Sequence, residues 1–505
     1  MEGALTIISP TAVKATRVSS DSLPLSLRPC RRSSEMKKFI FVALLLAGAC
    51  ALSVAQAPNG TIPSTLFGST FIGITNYTNN ASSIPIGNLG KEIFGYWSYV
   101  EPVGPGAWSS CSGTISGSHC YHWADHLDTE VAAAKAHGLF FVWTMDLAPP
   151  FATNNVGCAD VSGNGVLQCS GPITDTASFG AFIDALVTRY NVGSSIGTIN
   201  AYETSNEQDY IGTAAQMAAQ IKEYVAHIKA INPSALIVGI GAEGSDTWYE
   251  QISTPCSGLF FDCIWAAWKA IDSNAHFDAL TFHGYPHNQQ AGIPNAGTPE
   301  VVIGGPGTVD TTACPYGYAK CIQMAISRDN VTTFAGGTPQ LWDTEGTWAS
   351  AFPSTAPPDA FIGRFMLLNW AAGVSHQMWF TWDGGSGPIQ GFSDRITAYQ
   401  QVRNWMVGST MTTRCALVSG STVVWTCALT ESNGKSALAV WNTSGNSSFA
   451  IAVGTWTDFR DLAGGTTSIG STATSVGIGI RPILLEGGVA GNPPAAPTGL
   501  TATVQ

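Results

Sequence analysis

Between Ser64 and Gln400 the chain alternates two kinds of hydrophobic pattern. Short, nearly continuous apolar runs read as buried strands at 71–77 (FIGITNY), 93–100 (IFGYWSYV), 139–146 (LFFVWTMD) and 196–207 (IGTINAYETSNE). The series continues at 235–243 (ALIVGIGAE), 277–286 (FDALTFHGYP), 339–348 (PQLWDTEGTW) and 374–384 (VSHQMWFTWDG). Each run ends in a polar loop. Between them lie helical patterns at 126–138, 176–191 and 213–232, the last with a natural stop at Asn232-Pro233. Strands alternating with helices in this rhythm predict an α/β fold, a (β/α)8 TIM barrel over residues 64–404. After Trp405 the period shortens to two, Thr and Val become frequent, and Asn433-Gly434 marks a hairpin turn. A small all-β sandwich is expected over 405–487.

The N-terminal region carries a different signal. From Met36, a positive end (Lys37, Lys38), an apolar centre (Phe39 to Leu46) and small residues before Ala57 make a secretory signal peptide over 36–57. Residues 1–35 read as upstream translation or a disordered extension. A secreted or periplasmic protein follows. Cysteine usage agrees: beyond Cys30 and Cys50 come local couples Cys111/Cys120, Cys158/Cys169, Cys256/Cys263, Cys314/Cys321 and Cys415/Cys427. Behind a signal peptide, such couples read as disulfides stapling individual loops. The tail 488–505 is a Gly/Pro/Ala linker whose end, PTGLTATVQ, resembles the first strand of a fibronectin type III module.

Composition narrows the partners. Only 11% of the 505 residues are charged and the net charge is −12, with no Lys/Arg cluster after Lys38. Nucleic acid is excluded, because a phosphate backbone is held by clustered cations. No later apolar run reaches the ~20 residues of a membrane span. His, Cys and Asp do not fall at metal-ligand spacing, so neither metal nor other cofactor is expected.

In a barrel of this kind chemistry sits where the strands end. The fourth run ends in Asn206 and Glu207, the seventh in Glu345, the sixth in His283 and Tyr285, the eighth in Trp379 and Trp382. Two carboxylates opposed in an aromatic cleft suit glycosidic bond cleavage, one protonating the leaving oxygen and the other stabilising or capturing the oxocarbenium-like centre. Aromatic faces offer the apolar side of a sugar a surface to stack on.

The ordered set SNE, HGY and DTEG (Asn206-Glu207, His283-Gly284-Tyr285, Thr344-Glu345) resembles clan A of the retaining glycoside hydrolases, most nearly family 39 and related secreted enzymes. The resemblance covers the barrel and extends to the trailing β unit. It implies Glu207 as acid/base, Glu345 as nucleophile, Asn206 on the sugar 2-hydroxyl and Tyr285 hydrogen-bonded to the nucleophile. His283 would line the site and Trp382 would floor it. The chain departs from the clan in having Gln208 where Pro is usual, and in lacking an evident Arg match in KEIFGYWSYVEP (91–102). Glu203, four residues before Glu207, is a rival acid or a buried supporting carboxylate. Glu243 ends the fifth run as a further polar candidate. Trp97, Trp143 and Asp146 either extend the cleft or pack in the core.

A secreted, monomeric retaining β-glycosidase acting on oligo- or polysaccharide is therefore expected. An inactive carbohydrate-binding barrel and a polysaccharide-associated adhesion protein are the alternatives, which hydrolysis of an aryl β-glycoside would separate. Sugar, linkage and exo or endo action are not readable from the sequence.

Overall fold

Eight parallel strands close into a barrel in the computed structural model, which describes residues 60–71, 86–90, 96–124, 126–161, 163–206, 213–243, 260–285, 298–302, 318–348, 356–384 and 387–489. The barrel strands are β1 (Phe67–Ser69), β2 (Asn88–Leu89), β3 (Phe140–Thr144), β4 (Ala201–Glu203), β5 (Leu236–Glu243), β6 (Ala279–His283), β7 (Gln340–Gly346) and β8 (Val374–Trp379). Each pairs in parallel with its sequence neighbours, and β8 returns to β1. The outer helices are α1 (Leu127–Ala136), α2 (Thr176–Arg189), α3 (Ala214–Ile231), α4 (Phe260–Ile271), α5 (Tyr318–Arg328), α6 (Pro358–Ala371) and α7 (Ser393–Met406).

Local chemistry sets these elements. Asp175 caps α2 by accepting the Ser178 amide, and α3 opens with a reciprocal Thr213/Gln216 capping box. Inside the barrel Val142, Ala201, Val238, Ala279, Trp342 and Met378 form one packed layer. Fully burying one large apolar side chain of this kind contributes roughly 1.5–3 kcal/mol. His376 joins the layer against Trp342 at 4.1 Å between ring centroids, and burial pushes its imidazole down to about 3, so it is neutral.

Two of the expected strands fall elsewhere. The first is Phe67–Ser69, upstream of the expected 71–77, whose residues from 72 lie outside the described set. The second is Asn88–Leu89, while Trp97–Val100, at the end of the expected 93–100, is a short helix with all four residues buried. An apolar run without alternation fits a buried helix as well as a buried strand. Trp97 stacks on Phe182 at 5.1 Å and donates its Nε1–H to Glu101 at 2.9 Å, so it belongs to the core. Trp143 is likewise buried.

Beyond α7 comes a six-stranded antiparallel sheet, in spatial order β9 (Thr410–Leu417), β10 (Val424–Thr430), β11 (Lys435–Asn442), β16 (Ile483–Val489), β13 (Trp456–Arg460) and β14 (Thr466–Ser468). The pair β12 (Ser447–Ala450) and β15 (Ser475–Ile478) makes a second, two-stranded sheet. Alternation along β11 divides the burial. Val440 joins the small core with Phe449, Val476 and Leu485, whereas Ala437, Ala439 and Trp441 belong to the core shared with the barrel. Close approach at that joint needs a glycine: a Cβ on Gly363 of α6 would lie 2.7 Å from Leu462 and 3.0 Å from Pro482.

Disulfides join Cys111–Cys120, Cys158–Cys169 and Cys415–Cys427, as the local couples imply. Cys263 is disulfide-bonded, but Cys256, Cys314 and the Cys321 side chain lie outside the described residues, as do the leader 1–57 and the tail from 490.

Candidate active site

The strand ends place Glu345 beside the end of β6. Along β6 and β7, Phe282 pairs with Asp343 and His283 with Glu345, so Thr344 is skipped, and β7 slips against β8 over the same residues. An extra residue of this kind is a bulge, which bends a strand and re-aims its side chains. Two consecutive side chains thereby reach polar partners on other strands. Thr344 donates its hydroxyl to Glu203 Oε1 at 2.7 Å. Glu345 Oε1 accepts the Tyr285 hydroxyl at 2.7 Å, and its Oε2 lies 3.4 Å from His283 Nδ1. Glu345 is only 6% exposed and His283 1%.

Glu203 is buried at the end of β4. Its second oxygen accepts the Thr144 hydroxyl at 2.6 Å, so each carboxylate oxygen meets a threonine, one on β3 and one on β7. That fits the supporting role better than the rival acid, whose oxygen would have to face substrate. Asn206 continues β4 as an isolated parallel bridge to Gly241. Beside it opens a pocket lined by Met145, Asp146, Gln216, Met217 and Gln220. Glu207 lies outside the described residues, as does Gln208, and the Glu243 side chain is not described.

The two tryptophans at the end of β8, Trp379 and Trp382, are both buried. Trp379 packs among Trp348, Phe361 and Phe365 and donates Nε1–H to the Gly387 carbonyl at 2.7 Å. Trp382 lies against Phe71 and edge-on to Tyr399, at 1% exposure. Arg364 is bidentate to Glu300. Among the described residues no group of three or more His, Cys, Asp or Glu side chains is arranged to hold a metal ion.

Sequence reasoning passed over Asp343. It is fully buried, and burial pushes its carboxyl up to about 7 against the lowering effects of the Gly284 amide and His283. The only sequence signal was its place two residues before Glu345.

A family 39 glycoside hydrolase from the gut symbiont Bacteroides cellulosilyticus WH2 superposes with a TM-score of 0.59 at 16% identity, over 84% of this chain and 81% of that one. The likeness is one of fold. A bifunctional glucanase-xylanase from a metagenome library gives 0.56 at 13% identity, over 86% and 98% of the two chains. A Paenibacillus polymyxa xyloglucanase of glycoside hydrolase family 44 gives 0.52 at 13%, over 85% and 97%. The barrel with a trailing β-sandwich is thus shared with glycoside hydrolases. No family model and no curated protein matches the sequence.

Proposed function

We propose that this protein is a secreted retaining glycoside hydrolase acting as a monomer on β-linked oligo- or polysaccharide, with Glu345 as nucleophile and Glu207 as acid/base. One observation carries the reading: a buried carboxylate on the seventh strand receives a tyrosine hydroxyl from the end of the sixth at 2.7 Å. The Tyr285 bond fixes Oε1 of Glu345, and this carboxylate would attack the anomeric carbon. Glu207, the residue that follows Asn206 in the sequence, would protonate the departing oxygen and then deprotonate water. Positioned proton transfer of this kind contributes about 10²–10⁴-fold. Asn206 would hold the sugar 2-hydroxyl, His283 would line the site beside Glu345, and Trp382 would back it. The likeness to glycoside hydrolases supports the reaction class, and the signal-like segment with its disulfides supports secretion.

The test is chemical rescue. In a panel of aryl β-glycosides, Glu345→Gly should lower turnover by on the order of 10⁴-fold or more. Azide should restore it with an activated leaving group and give the inverted glycosyl azide. Full activity of Glu345→Gly without added anion would remove the assignment. So would a Glu207–Glu345 carboxyl separation near ~9 Å rather than the ~5–5.5 Å of retaining enzymes.

A further inference from the structure

The mechanism above leaves one buried acid beside the nucleophile without a task. Asp343 accepts the Gly284 amide at 3.0 Å, and the same amide reaches the Glu345 carbonyl at 2.7 Å. One N–H thus ties the end of β6 to both ends of the bulged segment. The space around the carboxyl is defined by missing side chains. A Cβ on Gly284 would fall 2.6–2.9 Å from Asp343 carboxyl atoms, and one on Gly346 would fall 2.6 and 2.8 Å from its oxygens. Contacts below 3 Å force something to move, so both glycines leave a slot that this carboxyl occupies. Gly284 also stands between His283 and Tyr285, the two residues that face Glu345.

In an unbroken strand residues 343 and 345 share a face. The register slip separates them: Asp343 turns to the Gly284 amide and Glu345 to the Tyr285 hydroxyl. We propose that Asp343 is a positioning residue of the active site, its carboxyl wedged between Gly284 and Gly346 to hold the β7 bulge and the His283–Tyr285 turn in the register that brings Tyr285 onto Glu345. Its kinetic consequence rests on the glycosidase reading of Glu345, whereas its geometric consequence does not.

Three variants test it. Asp343→Asn keeps an acceptor oxygen for the Gly284 amide, Asp343→Ala removes it, and Gly284→Ala keeps the acid but fills its slot. On whichever aryl β-glycoside the wild type hydrolyses, Asp343→Ala and Gly284→Ala should lose about 10²-fold in kcat with little change in KM, the effect of roughly 1 Å of misplacement. Asp343→Asn should stay within about tenfold of wild type. Crystal structures supply the second readout: the 2.7 Å Tyr285–Glu345 contact should persist in Asp343→Asn and be lost in Asp343→Ala and Gly284→Ala. An alanine variant that keeps both the contact and wild-type kcat overturns the proposal, as does an equal fall of Asn and Ala with the contact intact. Should Asp343→Ala not fold, Gly284→Ala decides alone. If the wild type cleaves no glycoside, the glycosidase reading falls, and the structures still decide whether Asp343 positions Tyr285.

Discussion

Glu300 and Asp343 are both fully buried acids, and their surroundings push them in opposite directions. Burial would raise Glu300, yet the Arg364 charge and hydrogen bonds from Arg364 and Trp441 hold it below the usual carboxylate range. The guanidinium meets both its oxygens, and Trp441 Nε1 donates to Oε1 at 2.9 Å. This knot ties α6 and β11, hence barrel to sandwich. Asp343, beside the candidate nucleophile, has an amide and an imidazole nearby in place of a guanidinium, and burial wins. The contrast teaches what each place needs. A joint is stabilised by an acid whose charge is locked and fully satisfied. At the site, hydroxyl and amide donors orient the carboxyls through Tyr285, Thr144, Thr344 and Gly284, with no guanidinium among these donors.

The largest expected effect comes from removing the sandwich side of the joint. Deleting the chain after residue 404 exposes the α6 face around Gly363 and strips Trp441 from Glu300, so we expect insoluble protein on expression. A soluble truncation with full activity and unchanged melting temperature would show that the sheet is an appendage. Next comes Arg364→Met, which leaves Glu300 buried without its cation. Breaking a buried pair in this way costs about 3–5 kcal/mol, measurable as a lower urea midpoint, with kcat of the folded fraction unchanged. Pairing it with Glu300→Leu should recover much of the loss, because the unpaired charge is then gone. If Arg364→Met instead lowers kcat at constant stability, the knot belongs to the site and not to the joint.

The parts of this arrangement legible in the sequence were those written locally. The helical pattern at 176–191 corresponds to α2 at Thr176–Arg189, and the apolar runs at 235–243, 277–286, 339–348 and 374–384 contain β5 to β8. Strands β1 and β2 were misplaced because they are three and two residues long and carry little pattern, while the apolar run after them is partly helical. Glu345, His283 and Tyr285 stood out as polar residues ending apolar runs, and the structure brings those three together. The knot was invisible, since its partners lie 64 and 141 residues apart in sequence. Asp343 was hidden for another reason. Alternation puts it on the same face as Glu345, and only a register slip, which no residue type announces, gives the two separate surroundings.

The smallest expected effect tests the Asp343 side of the comparison through pH. Its carboxyl is raised from an ordinary value of 3.8 to about 7 in the folded protein. For a raised acid, the folded state holds its proton over the interval in which the unfolded chain has already released it. Stability from this group is therefore full below about pH 4, declines as pH rises toward 7, and is flat above. Glu345 and His283 face the same carboxyl, so a substitution there is read against their unchanged presence. Asp343→Asn has no proton to lose and should melt with wild type at pH 4 but a few degrees above it at pH 8. Arg364→Met should instead lie below wild type at pH 8, because Glu300 is then ionised without its cation. A constant offset between Asp343→Asn and wild type from pH 4 to 8 would show that Asp343 keeps an ordinary carboxylate in the fold, and the two acids would then differ only in their partners.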